Sequence, residues 1–151
     1  MRLLIKKLRE GAVIPARATE GSAGYDLSAC LDAPITVPAG GTVKVPTGLA
    51  AAPEGCGDCV LLIYARSSTA TKKGLAPANC VGVVDSDYRG EIIVALHNHS
   101  SEDRVIEPRE RIAQLVITPV LLPEVSEAAE LPSTERGEGG FGSTGELVNN
   151  E

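Results

Sequence analysis

A run of valines ends on acids and hydroxyls in "NCVGVVDSDYRGEI", Asn79 to Ile92. Val81, Val83 and Val84 read as a strand leading into Asp85, Ser86, Asp87 and Tyr88, with Arg89-Gly90 returning the chain into a second strand as a hairpin. One reading is a solvated turn, since Asp, Ser and Gly are ordinary turn residues. The other is chemical: Asp85, at a strand end, orients or deprotonates a water, and Tyr88 supplies a flat wall beside it.

Four further stretches carry groups that could serve the same chemistry. In "SAGYDLSAC", Ser22 to Cys30, Asp26 is the single charge among small and apolar neighbours. Such a carboxylate needs a cation or a partner, and Mg²⁺ held partly through water or an exposed edge-strand position would both satisfy it. "ARSS", Ala65 to Ser68, places Arg66, Ser67 and Ser68 where a strand meets a helix start, which reads either as an anion site or as a plain N-cap. "RIAQLV" brings Arg111 and Gln114 into an otherwise apolar strand. Near the end, "RGEGGFGSTG" sets Phe141, the only phenylalanine, among Gly139, Gly140, Gly142 and Gly145. Glycines allow close backbone approach to a ligand, Arg136, Ser143 and Thr144 offer donors for phosphate oxygens, and Phe141 can stack on a flat ring.

The elements that must position these groups are short strands. The chain has 16 glycines and 10 prolines over 151 residues, with one Phe, three Tyr and no Trp, so its core must be aliphatic. Strands are expected over 3–8, 25–30, 35–37, 42–47, 59–65, 81–84, 91–97, 105–106 and 111–121, a sandwich or barrel pattern. One short helix, "STATKKG", is expected with Ser67 and Ser68 as caps and Gly74 as its stop. The segment 111–121 is apolar on both faces and calls for cover from both sides, in part between subunits. After Pro123 little remains to bury, so 123–151 reads as a flexible arm on a single domain over 1–122.

A net charge of −6 argues against a nucleic-acid polymer as partner. No signal-peptide core or membrane span is visible, which points to an intracellular setting, the cytoplasm first. "CGDC", Cys56 to Cys59, has ligand-like spacing without a second pair, and His97 and His99 alternate on one strand face; neither is read as a metal site.

Together, "SAGYDLSAC", "ARSS", "NCVGVVDSDYRGEI", "RIAQLV" and "RGEGGFGSTG" resemble, in order and spacing, the five motifs of the trimeric dUTPases, over Ala12 to Gly145. The resemblance implies a jelly-roll β fold, a homotrimer whose active sites are shared between subunits, and Mg²⁺-assisted hydrolysis of dUTP to dUMP and pyrophosphate. That reaction limits uracil incorporation into DNA and supplies dUMP for dTMP synthesis. It implies Asp85 as the acid activating water for attack on the α-phosphorus. Asn79 and the hairpin backbone, Gly82 included, would read uracil without room for a 5-methyl, and Tyr88 would pack under the deoxyribose. Arg66 is implied to be largely structural, with Ser67, Ser68 and Gln114 near the phosphates and Asp26 holding Mg²⁺ through water. Arg136, Ser143, Thr144 and Gly142 would meet the γ-phosphate and Phe141 would stack on uracil as part of a lid over 135–145.

The chain departs from that pattern at Ala65, where proline is usual, at Ser68, where glycine is frequent, and at Arg109, where a turn glycine is common. Arg109 implies a turn of another type. Two other readings remain open: a dCTP deaminase relative, and a non-catalytic nucleotide-binding jelly-roll module.

Overall fold

A computed structural model describes residues 1–140. In chain order the elements are β1 (Arg2–Lys7), β2 (Tyr25–Ser28), β3 (Ile35–Val37), β4 (Thr42–Pro46), β5 (Leu49–Glu54), β6 (Cys59–Tyr64), α1 (Ser67–Lys73), β7 (Leu75–Pro77), β8 (Gly82–Asp85), β9 (Ile93–Asn98), β10 (Arg104–Ile106) and β11 (Arg111–Pro119). The expected all-β, jelly-roll-like architecture with one short helix is what forms. Every pairing is antiparallel, in sheets ordered β2-β11-β6-β8, β4-β9-β7, β1-β5 and β10-β3.

One apolar cluster joins all four sheets, and aliphatic side chains fill it: Leu27, Leu61 and Leu115 face Val45, Leu75 and Leu96, with Val37, Leu49, Ile106 and Ile112 also fully buried. The alternation along β9, where Val94, Leu96 and Asn98 point inward, explains how "IVALHN" serves a half-buried strand. Asn98 is tolerated there because all its capacity is used. Its amide donates to Val37 O and Glu102 O, and its Oδ1 accepts from the Ser100 N–H and hydroxyl.

Several expectations are corrected. β5 and β7 escape the sequence pattern: "LAAAPE" and "LAP" are poor in strand formers and contain proline, yet β5 pairs along its whole length with β1 and β7 pairs with β9. The return after Asp85 is not a hydrogen-bonded hairpin, because β8 pairs with β6 while β9 pairs with β4 and β7. Residues 86–92 cross from one sheet to another. Ser67 and Ser68 do not cap α1; Arg66, with φ −82° and ψ 142°, holds the N-cap position without a side-chain bond, and the Ser67 carbonyl accepts the Thr71 hydroxyl. Gly74 does end the helix, at φ 66°, donating to Ala70 O and Thr69 O.

Arg109 also overturns its expectation. It adopts φ 66°, and the Glu110 N–H closes onto Glu107 O at 3.1 Å, with Pro108 second in the turn. That is the type II pattern in which glycine is usual, retained by an arginine. In β11, Ile112, Ala113 and Leu115 are buried in the chain's own core, while Val116 and Ile117 are half-buried and Leu121 and Leu122, just beyond, are exposed. After Pro119 no further strand or helix occurs among the described residues.

Candidate functional site

Asp26, Gln114 and Tyr64 form one row across β2, β11 and β6, since Gln114 is in register with both neighbours. This row sets the first half of the site. Asp26 Oδ1 accepts Arg66 Nε at 2.6 Å and Oδ2 accepts Arg111 Nη1 at 3.1 Å. Arg66 therefore works as a structural brace at the strand-to-helix junction, and its Nη1 also reaches Ser68 Oγ at 3.3 Å. Gln114 Nε2 donates to Ala65 O at 2.9 Å, so the backbone at the Ala65 departure is held by the strand beside it. Ser67 is exposed and shares a cleft of about 420 Å³ with Ser22, Gly24, Asp26, Arg66 and Gln114. Ser68 opens instead on a neighbouring cleft of about 230 Å³ beside Lys72 and Arg111.

The second half lies along β8 and the crossing that follows. Asn79 is exposed in a tight turn where Cys80 N–H bonds Pro77 O at 2.9 Å and Val81 N–H bonds Asn79 O at 2.7 Å. Cys80 takes φ 63° there. Gly82 faces Ile63, and a side chain at 82 would meet Ile63 at 3.0 Å and lie 3.8 Å from the Asn79 amide. Asp85, the last residue of β8, is exposed, and its carboxylate makes no hydrogen bond among the described residues. Its carbonyl accepts the Tyr88 N–H at 3.1 Å. The Tyr88 ring lies over Gly90, where any Cβ would stand 2.3 Å from the phenol oxygen, and that hydroxyl donates to Glu91 O at 3.2 Å. Asp85 and Tyr88 border a cleft of about 250 Å³, closed at the back by Glu91 and Ile92.

One chain does not bring the two halves together. Asp85 is in register with Val60, four residues along β6 from the Tyr64 row that carries Gln114 and Asp26. At a strand rise of ~3.3 Å per residue the rows stand roughly 13 Å apart along β6, and they open into different clefts. Arg136 joins neither half; its Nε bonds Gly139 O at 2.8 Å in a local turn. Phe141, Gly142, Ser143 and Thr144 lie outside the described residues.

Sequence reasoning missed two supports. Gly24 leaves the space that the Gln114 amide occupies, for a Cβ there would sit 2.5 Å from Oε1. Its only signal is a glycine two residues before the lone acid. Glu91 receives the Gly48 N–H at 2.8 Å and faces Arg9 at 3.6 Å, which steadies the wall behind Tyr88. As for the metal, both Asp26 oxygens are engaged by guanidinium groups, and no group of three His, Cys, Asp or Glu gathers among the described residues. These residues form no cage for a directly bound Mg²⁺; Asp26, which lines the cleft and keeps free carboxylate lone pairs, is the residue that would reach such an ion through water.

The sequence matches the dUTPase family over residues 10–145. It is 46% identical to the deoxyuridine 5'-triphosphate nucleotidohydrolase of Paraburkholderia phymatum over 145 residues, 96% of each chain. To that of Desulfitobacterium hafniense it is 52% identical over 132 residues, 87% of each. Among solved structures, a mutant dUTPase of Staphylococcus bacteriophage 80alpha with dUpNHpp superposes with a TM-score of 0.83 at 27% identity, covering 95% of this chain and 98% of that one. No helix among the described residues is long and apolar enough to cross a membrane.

Proposed function

This chain belongs to the dUTPase family and is a dUTP-hydrolysing enzyme, and we propose that it works by in-line attack of an Asp85-activated water on the α-phosphorus, in sites shared between copies of the chain. The observation that carries this reading is the separation of Asp85 from Ser67 and Gln114 within one chain, in two open half-clefts. A homotrimer would set the Asp85–Tyr88 half of one copy against the Arg66–Gln114 half of the next, and would cover the apolar outer face of β11 and the exposed Leu121 and Leu122. The segment 123–151 of a further copy would bring Arg136, Gly142, Ser143 and Thr144 to the γ-phosphate and lay Phe141 on the uracil.

Water is a poor nucleophile, and a carboxylate positioned to take its proton contributes about 10²–10⁴-fold. Asp85 has the exposure and the open lone pairs for that task. Asn79 and Gly82 would read the uracil along β8, and the Tyr88 ring, fixed over Gly90, would pack under the deoxyribose and exclude a 2′-hydroxyl. Ser67 and Gln114 would receive the phosphates while Asp26 keeps Arg66 and Arg111 in place. Mg²⁺ would enter with the nucleotide and offset the charge of its phosphates, with Asp26 facing it through water. Hydrolysis would lower the dUTP open to polymerases, and its product dUMP would supply the precursor of dTMP. Pyrophosphate release measured over dUTP, dTTP, dCTP and UTP is expected with dUTP alone; ammonia released from dCTP would replace this reading with a deaminase.

A further inference from the structure

The crossing that carries Tyr88, residues 86–92, belongs to no strand, so individual bonds must fix the ring. Toward its start the Tyr88 N–H bonds Asp85 O at 3.1 Å, and Arg89 Nη1 turns back onto Ser86 O at 2.7 Å and Tyr88 O at 3.0 Å. These bonds stay within residues 85–89 and shape the crossing without tying it to the body of the fold. The ties lie at its far end. The Ile92 N–H bonds Leu49 O at 2.8 Å, the Ile92 carbonyl accepts the Thr47 hydroxyl at 2.6 Å, and Glu91 Oε1 accepts the Gly48 N–H at 2.8 Å. Of the three, only the Glu91 bond is made by a side chain of the crossing.

Gly48 is a fixed donor. It takes φ +68°, its carbonyl accepts the Leu8 N–H at 2.7 Å, and a Cβ there would stand 2.8 Å from both Ala12 Cβ and Cys30 Sγ. The Glu91 side chain is only 18% exposed, so its carboxylate depends on that N–H, while the exposed Arg9, 3.6 Å away, adds a screened charge. Residue 91 in turn holds the ring, because its carbonyl accepts the Tyr88 hydroxyl at 3.2 Å while Gly90 leaves the space beneath. We infer that Glu91 is a positioning residue for sugar selectivity: by pinning residue 91 to the Gly48 amide it sets the plane of the Tyr88 ring, and with it the clearance left for a 2′-hydroxyl. The inference rests on the reading above that Tyr88 packs under the deoxyribose. Steric exclusion of one hydroxyl depends on a small clearance, so a ring whose far end loses its anchored acceptor relaxes that exclusion first. Asn79 and Gly82 lie before Asp85 and outside the crossing, so the reading of the base does not depend on Glu91.

The test measures kcat/KM by pyrophosphate release from dUTP, UTP and dTTP on the full chain, at enzyme concentrations high enough to register UTP. In Glu91→Ala the preference for dUTP over UTP is expected to fall by about tenfold, with dTTP still at background. Glu91→Gln keeps a side-chain oxygen for the Gly48 N–H and should keep most of the preference. A merely structural loss would lower dUTP and UTP use alike and leave their ratio where it was. Should Glu91→Ala fail to fold, Glu91→Asp, whose carboxylate is one methylene short of Gly48, is expected to shift the ratio in the same direction. An unchanged ratio in the folded variant, or a ratio that falls as far in Glu91→Gln as in Glu91→Ala, would overturn the inference. Tyr88→Ala separates the two levels: if it loses the preference while Glu91→Ala keeps it, only the role of Glu91 falls, and if it keeps the preference, the sugar-wall reading of Tyr88 falls as well.

Discussion

The two half-sites contrast in how their acids are held. At the β2–β11–α1 junction Asp26 is gripped by Arg66 and Arg111, and Gln114 is tied to Ala65 O. At the end of β8 the Asp85 carboxylate stands exposed with no such bond among the described residues. The same residue type thus serves two ends. An acid with both oxygens on guanidinium groups is held in place and organises its surroundings. An acid at a strand terminus, beside an open cleft, can receive a proton. The lesson is that position in the hydrogen-bond network, and not the acid itself, separates the brace from the proposed base.

The contrast can be broken first at the open end. Asp85→Asn keeps the shape and removes the base, so turnover is expected to fall by about 10²–10⁴-fold while calorimetry still registers dUTP binding; unaltered turnover would erase the distinction. At the clamped end, Asp26→Asn leaves Arg66 and Arg111 without their shared anion. The Arg111 pair is exposed and screened, so the expected loss is roughly 1–2 kcal/mol, read from the urea midpoint. A stability loss smaller than that of a surface substitution would mean that the clamp is ornamental. The smallest effect sharpens the comparison at the turn feeding β11. Arg109→Gly suits φ 66° and should raise stability by about 0.5 kcal/mol, the relief of a left-handed side chain less the added freedom of the unfolded glycine. A lower melting temperature would show that the arginine side chain matters more than its backbone.

Much of this was legible in the sequence, and the failures have physical causes. The aliphatic runs of β6 and β11, the alternation of β9 and the stop at Gly74 declare themselves locally, because propensity and pattern agree with the fold. β5 does not, since "LAAAPE" becomes a strand only through its pairing with β1. The crossing after Asp85 looked like a hairpin because turn residues between two apolar runs carry no mark of which sheet each run will join. Ser67 looked like a cap because a serine before a helical run suits that place, yet its neighbour Arg66 occupies it. The importance of Gly24 and Gly90 is a matter of what packs over them, Gln114 and Tyr88, and no spacing rule contains that. The motif residues themselves were visible, but their division into two halves roughly 13 Å apart along β6 depends on strand register.

That division is the central claim, and subunit mixing tests it most directly. Asp85→Asn chains and Gln114→Ala chains, each inactive alone, are unfolded together, refolded and assayed for pyrophosphate release from dUTP. If each site takes Asp85 from one copy and Gln114 from another, the mixture recovers activity that neither parent shows. If one chain supplies both residues to the same site, the mixed oligomers stay as inactive as their parents, and the shared-site account is contradicted.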